Sequence, residues 1–458
     1  MLLFGRKKIL TNYRVVDDSN ISIILSQAYE VFLQNASEIE YLYDYYKGRQ
    51  TILGRTKLVR PEINNRIVEN HAFNIVQFRS GYLLEKPVQY VANKEDIADE
   101  ELPFLNGCMS IEGKESKDKN VANARCICGT AYRLCLPNKF YQNNGDDSPF
   151  KIYTIKSNQA FVVYSSGLGE EPLIGVVVSK EIDDNGITIC KLQAYTKDKY
   201  YVFNQSFNVI EISQTHTLGR VPLIEYPLNE ERLGAFEIVI RILDAINTIE
   251  SNRVDGIEQF IQAILVFKNI EVTKEMLKKL QELGAINISD TGEVKANVEY
   301  LQQELNQTQV QTLHDCLVEY AYRIAGVPTR NGSGSGDTGQ ATIMRDGWNE
   351  IEAKIQEDEL SFKDSDRQFL ALALNITKTL TGGTYTIRLM DLDIKFTRRI
   401  YENTYQKAQT LDLMLKNGMI APRLAFVSCG LFSDPEGAYN ESKPYIEKAK
   451  ATVTSGEN

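Results

Sequence analysis

The chain has 458 residues, with 51 basic against 61 acidic side chains and a formal net charge of −10. That length exceeds what one hydrophobic core serves, so several substructures are expected, while 43% hydrophobic and 24% charged residues are an ordinary globular balance. An acidic chain does not announce the basic patch with which proteins grip phosphates, and its longest purely apolar runs, such as Val176–Val178 with Leu173 and Ile174, fall far short of a membrane span.

The opening MLLFGRKKIL holds an apolar stretch too short for a secretion signal, so the chain is expected to be made and kept inside a cell. Residues 20–47 read as helix, with Ile24, Ala28, Val31 and Phe32 at helical spacing, and a second helix is expected over 64–84, after Pro61 and a polar turn. Pro87 ends it, and Val88–Val91 reads as a strand. From 100 to 145 the pattern is mixed, with a charged loop at Glu112–Lys119 and helical residues leading into Gly129. Strands dominate from 150 to 226, each bounded by Gly, Asn or Asp turns. The first two-fifths is therefore expected to be a mixed α+β unit.

At Gly234 the character changes. Residues 234–267 keep helix-like spacing through Ile238, Ile242, Ala245, Ile249, Val254, Ile257, Ile261 and Leu265, a rod about 50 Å long. A compact insert over 268–304 reads as a strand (FKNIEV), a helix (KEMLKKLQELG) and a strand–turn–strand. A second rod over 306–325 carries Val310, Leu313, Leu317, Tyr320 and Ile324 at alternating three- and four-residue steps, a stripe expected to pack on the first rod. A third helix is expected over 341–379, carrying Ile343, Trp348, Ile351 and Ile355, followed by a strand-like TYTIRLMDLDIKFTR and a helical tail from 401. Between the second and third rods lies Gly326–Gln340, where no apolar side chain occurs between Pro328 and Ala341 and glycine is frequent. Such a segment cannot enter a core and has great backbone freedom, so it is a linker or a working part.

Several motifs tempt toward catalysis and fail. Asp337-Thr338-Gly339 spells the aspartic-protease triplet, but four small residues precede it where an apolar strand and a partner carboxylate are needed. The glycines lack both a leading strand and a GxxxxGK[ST] pattern, which excludes a phosphate-cradling loop. His71, His216 and His314 are far apart in sequence without HxxxH or HExxH spacing, so His314-Asp315 reads as a satisfied helix pair. The seven cysteines are odd in number and have no framework spacing; Cys126, Cys128 and Cys135 hint at metal without any CxxC, so reduced thiols are expected and no metal site is. No catalytic constellation can be assembled.

The order of parts and four tracts resemble the portal proteins of tailed bacteriophages, in particular those of long-tailed phages infecting Gram-positive hosts. The tracts are Tyr43–Leu53 followed by Asn64–Tyr90, then Cys128–Leu136, Leu218–Glu237 and Gly336–Trp348. They cover about residues 40–400, and the tail after 401 matches less clearly. The resemblance implies an α+β, portal-type fold: a wing from 1–233 and 341–400, stem helices 234–267 and 305–325, a clip at 268–304, a tunnel loop at 326–340 and a crown from 401–458. It further implies a ring, usually of twelve subunits, at one capsid vertex of the virion, synthesised in the host cytoplasm, through which double-stranded DNA passes in packaging and ejection. The expected partners are other copies of the chain, the terminase large subunit, the head–tail adaptor, and the major capsid and scaffolding proteins, with no cofactor, membrane or enzymatic activity. The alternative is another oligomeric phage structural protein, an adaptor or minor capsid protein.

By that resemblance the DNA-facing residues are Thr329, Arg330, Asn331, Gly332, Ser333, Gly334, Ser335, Gly336, Asp337 and Thr338, and the docking residues of the clip are Lys274, Lys278, Lys279 and Glu282. Two readings of each charged feature stay open. The acidic charge either lines the channel, repelling DNA and keeping friction low, or lies outside. Arg330 either touches phosphates or pairs locally, and the clip helix is either a solvated face or a docking surface.

Overall fold

The computed structural model describes residues 5–92, 101–142, 146–182, 188–213, 218–261, 264–268, 272–276, 278, 297–301, 307–329, 348–397, 404–417, 420–432 and 435–454. The chain falls into two compact units, one of Met1–Leu42, Ile75–Glu237 and Gly326–Asn458, the other of Tyr43–Asn74 and Ile238–Ala325.

In the first unit, β1 (Ile9–Thr11), β5 (Ala160–Ser165), β6 (Pro172–Ile182), β7 (Thr188–Tyr195), β8 (Tyr200–Phe203) and β9 (Val209–Ser213) form one sheet in the order β1-β5-β6-β7-β8-β9, antiparallel except for the parallel β1–β5 pair. Successive side chains on a strand point to opposite faces. Accordingly Phe161 and Val163 bury against Ile24, Leu25, Ala28 and Phe32 of α1 (Ile21–Tyr46), while Ala160 and Val162 join Leu134, Val221 and Leu223 on the other side. That second layer is the antiparallel sheet β10-β3-β4, built from β3 (Thr130–Pro137), β4 (Phe150–Ile155) and β10 (Leu223–Pro227). The layers meet closely at Gly175, where an added Cβ would stand 2.5 Å from the Leu223 Cβ.

The expected charged loop at Glu112–Lys119 is instead the junction of two helices, α3 (Glu101–Ile111) and α4 (Lys114–Cys128). Lys114 and Asp118, one turn apart, are 3% exposed each, so their charge signals the interior and not solvent. α7 (Trp348–Leu380) runs through this core, burying Ile355, Phe362, Phe369 and Ala373 with Leu105, Val121, Phe150 and Tyr226. The strand-like stretch after it forms only β13 (Leu392–Lys395), antiparallel to β2 (Gln89–Ala92). A turn stops it earlier, because the Asp391 carboxylate accepts from the Arg388 backbone N–H at 3.1 Å. α8 (Thr404–Lys416), α9 (Pro422–Cys429) and α10 (Pro435–Thr454) follow, with a small core of Leu411, Ala425, Phe426 and Cys429.

In the second unit, α5 (Ile240–Ile261) and α6 (Gln307–Ala325) lie antiparallel, as the Arg253–Gln311 and Glu250–His314 contacts show. The first rod is shorter than its apolar spacing suggests: a 3-10 turn at Glu237–Val239 precedes it, and the β-branched and aromatic run Ile264–Lys268 is β11, paired antiparallel with β12 (Asn297–Leu301). Residues 274–276 and 278 are helical, as expected of the insert.

The second helix expected from residue 64 begins at His71, as α2 (His71–Leu83). Residues before it run extended along α5 and donate backbone hydrogen bonds to its side chains. Asn247 Oδ1, Ser251 Oγ and Asp255 Oδ1 accept from the backbone N–H groups of Glu69, Ile67 and Asn65 at 2.8, 2.9 and 2.7 Å. These three polar residues are buried, and they shift the buried face of α5 away from the predicted stripe; Ile257 stays 44% exposed. The stripe on α6 is likewise turned outward, with Leu313, Tyr320 and Ile324 at 52, 47 and 42% exposure.

Candidate functional site

The glycine-rich segment is held at both ends. α6 stops because Gly326 takes the left-handed conformation, φ 71°, that a C-terminal cap needs and that glycine adopts without strain. Ala325 and Val327 on either side are buried. The Lys354 side chain of α7 covers this turn, its Cδ 2.8 Å from where a Cβ on Gly326 would stand. Burial, and then the Arg79 charge, hold the Lys354 ammonium below its ordinary pKa. At the other end Trp348 packs against Phe78 and Tyr82, ring centroids 6.1 and 5.9 Å away, and those two rings stack on each other at 5.7 Å. Of the ten DNA-facing residues expected from the sequence, Thr329 is half-buried at this anchor, and Arg330–Thr338 lie outside the described residues. Lys274 and Lys278 are exposed; Lys279 and Glu282 also lie outside.

Behind the anchors α7 carries two buried carboxylates. Asp358 is bound bidentately by Arg79 at 2.6 and 2.7 Å, and its backbone carbonyl accepts from Arg125 at 3.0 Å. Asp366 accepts from Arg133, Lys114, Tyr90 and Tyr226 at 3.0, 3.3, 2.7 and 3.0 Å. Asp118 joins both cations, so two positive and two negative charges close a neutral cluster. Arg133 also lies over the Tyr226 and Phe369 rings at 4.9 and 5.0 Å. Burial alone would raise the Asp366 pKa; the Lys114 and Arg133 charges and the two tyrosine hydroxyls overcome it and hold the carboxyl below its usual range. Another buried carboxylate, Glu225 on β10, is depressed in the same way against burial by Arg232, Tyr164 and Thr130.

The other candidate groups are the cysteines and histidines. All seven cysteines are free thiols, and burial pushes those of Cys108 and Cys126 up to about 11. Cys128 donates to the Ala124 and Thr130 carbonyls. His314 is satisfied as expected, but the structure adds a second histidine that its sequence context does not announce: His314 and His71 both bond Glu69, at 3.1 and 2.9 Å. No sequence signal joins residues so far apart. Cations and hydroxyls cap the buried carboxylates Asp358, Asp366 and Glu225, which ties separate segments of the core together.

The residues on either side of the glycine-rich segment, Gly326 and Trp348, are thus packed in place. Residues 27–454 match the family described as phage portal protein, SPP1 Gp6-like, and the chain belongs to that family. It is 20% identical over 443 residues to the portal protein of Bacillus phage SPP1, covering 92% of this chain and 83% of that protein. A chain from the neck of an empty GTA particle, computed with C6 symmetry, has a TM-score of 0.46 at 10% identity, over 79% of this chain and 90% of that one. The resemblance read from the sequence thus holds, and the family match extends through the tail beyond residue 401. A phage portal protein is a structural component of the virion, forming a ring at a capsid vertex.

Proposed function

We propose that the ring is the conduit for double-stranded DNA in packaging and ejection, that it holds twelve subunits, and that it has no catalytic activity of its own. In this reading residues 234–267 and 305–325 are the stem, 268–304 the clip, 326–340 the tunnel loop, 1–233 and 341–400 the wing, and 401–458 the crown. The observation that carries it is the outward apolar face of α6, Leu313, Tyr320 and Ile324, which recur on one side of the helix and leave 42–52% of each residue open. Closed rings need two different complementary faces on every subunit, and a second copy of this chain is what such a face fits.

The packed Gly326 turn and the packed Trp348 beyond it support the reading of 326–340 as the tunnel loop. A strand of polar, glycine-rich chain between fixed points can follow a moving duplex without holding it, with Arg330 touching phosphates in passing. The terminase large subunit and the head–tail adaptor would dock on the clip through Lys274, Lys278, Lys279 and Glu282; major capsid and scaffolding proteins would meet the ring elsewhere. Negative-stain images of the purified chain test the assembly: closed rings with a central hole support it, and monomers at high concentration overturn it.

A further inference from the structure

We infer that the second unit carries a divalent transition-metal site, a zinc-type site, whose ligands are Glu69, Glu250 and His314. Their ligand atoms all lie within 4.8 Å of one another. His314 Nε2 stands 3.1 and 3.2 Å from the two Glu69 carboxylate oxygens and 3.9 Å from Glu250 Oε1. Four ligands around a zinc ion, at bonds near 2.1 Å, stand about 3.4 Å from each other, so a small inward movement of Glu250 completes three corners of such a shell. Three protein ligands of nitrogen and carboxylate type leave the fourth position open, and imidazole with carboxylates favours zinc and its neighbours over calcium or magnesium.

The outer contacts are those that metal ligands need. His314 Nδ1 faces the Asp315 carboxylate at 3.1 Å, and Asp315 is held by Gln311 at 2.7 Å, which fixes the ring with Nε2 toward the glutamates. Glu69 is oriented in turn by His71, whose Nδ1 meets the Tyr322 hydroxyl at 2.9 Å. Carboxylate–histidine–metal chains of this kind set the tautomer and raise ligand basicity. Arg253 donates to Glu250 at 3.0 Å and to Gln311 at 2.8 Å. The carboxylates of Glu69, Glu250 and Asp315 thus stand near the one guanidinium of Arg253, an acidic surplus that a divalent cation would offset. The side chains are 14 to 28% exposed, enough for an ion to enter. A metal-bound His314 would present an unprotonated Nε2 to the ion while Nδ1 keeps its contact with Asp315. The ion would tie the extended 65–71 segment, α5 and α6 together at one point in each subunit.

The test uses the full-length chain without a histidine tag, dialysed against Zn2+ and then metal-free buffer. About one zinc per chain is expected to remain, with retention at least about 10-fold weaker in His314→Ala and Glu250→Gln and also weakened in Asp315→Asn. His216→Ala should retain it fully. Arg253→Gln should bind tighter, because it removes a neighbouring cation, a change that a purely structural role does not produce. Co2+ soaked into the wild-type chain should give the intense visible bands of a four-coordinate ion, a readout independent of how the variants fold. No retained zinc with no such bands overturns the site, and so does zinc that survives His314→Ala and Glu250→Gln unchanged.

Discussion

The Asp255 carboxylate accepts from the Asn65 backbone N–H at 2.7 Å, and the same side chain pairs with Lys57 and Arg55. A buried side chain thus supplies to an extended segment the partner that a neighbouring strand would supply in a sheet. Asp255→Ala leaves an unpaired N–H and two cations facing each other without their counter-ion, a loss of about 3–5 kcal/mol for a broken buried pair. Ser251→Ala removes one neutral bond, at about 1 kcal/mol. Trypsin should therefore cut at Arg55, Lys57 and Arg66 much faster in the Asp255 variant than in the Ser251 variant. Equal cutting rates in both and in the parent would show that the segment is held by other contacts.

Asp366→Asn converts a neutral cluster into one with an excess positive charge beneath α7. Its thermal midpoint should fall by the equivalent of about 3 kcal/mol or more. Adding Lys114→Met should restore part of that loss, because the excess charge goes with it. Additive losses in the double variant would mean that the two groups do not share one cluster.

Acid should find these carboxylates first. Asp366 and Glu225 have folded pKa values below their ordinary ones. Their stabilisation is therefore present above the unfolded values, about 3.9 and 4.3, and is lost as pH falls through the folded values. In urea titrations from about pH 5 down to pH 3, the parent chain should lose stability steeply, and the Asp366→Asn, Glu225→Gln double variant should show a flatter curve from a lower start. Parallel curves would place the acid-sensitive groups elsewhere.

Leu313→Asp with Tyr320→Asp places charge on the open face of α6, where each residue is about half exposed. The isolated subunit should keep its far-ultraviolet spectrum and thermal midpoint to within about 0.5 kcal/mol, as surface changes do. The ring should be lost by light scattering. Intact rings would move the subunit interface off this helix.

Deleting Gly332–Gly336 should leave rings intact and reduce the DNA content of assembled particles, while charge reversal at Lys278 and Lys279 should weaken motor docking without dissolving the ring. Normal DNA filling in the deletion would remove the loop from the translocation path; ring loss in the reversal would place those lysines at the subunit interface.

The long rods were readable because apolar residues at a 3.6-residue period survive in any context. Their facing was not. Asn247, Ser251 and Asp255 are buried by the backbone groups that they serve, and no hydrophobic pattern marks a polar residue for burial. Glu112–Lys119 misled in the same way: Lys114 and Asp118 look like solvent-facing charge until Arg133 and Asp366 arrive from other segments. The cluster around His314 joins Glu69 across 245 residues, a relation that only the fold creates. The portal resemblance, by contrast, lay in short ordered tracts and needed no contact to be seen.

The strap along α5 works as a vernier. Each rung advances four residues on the helix, about 6.0 Å, and two on the extended segment, about 6.6 Å, so the scales slip by about 0.6 Å per rung while the helix positions also march about 40° around the axis. Three rungs form, and the next N–H groups at either end, those of Ile63 and His71, bond instead to the Arg60 and Glu69 carbonyls. The positions where further rungs would fall are Leu243, buried and apolar, and Gln259, exposed. A one-residue insertion between Asn65 and Glu69 would throw the rungs beyond it out of phase, whatever residue is inserted.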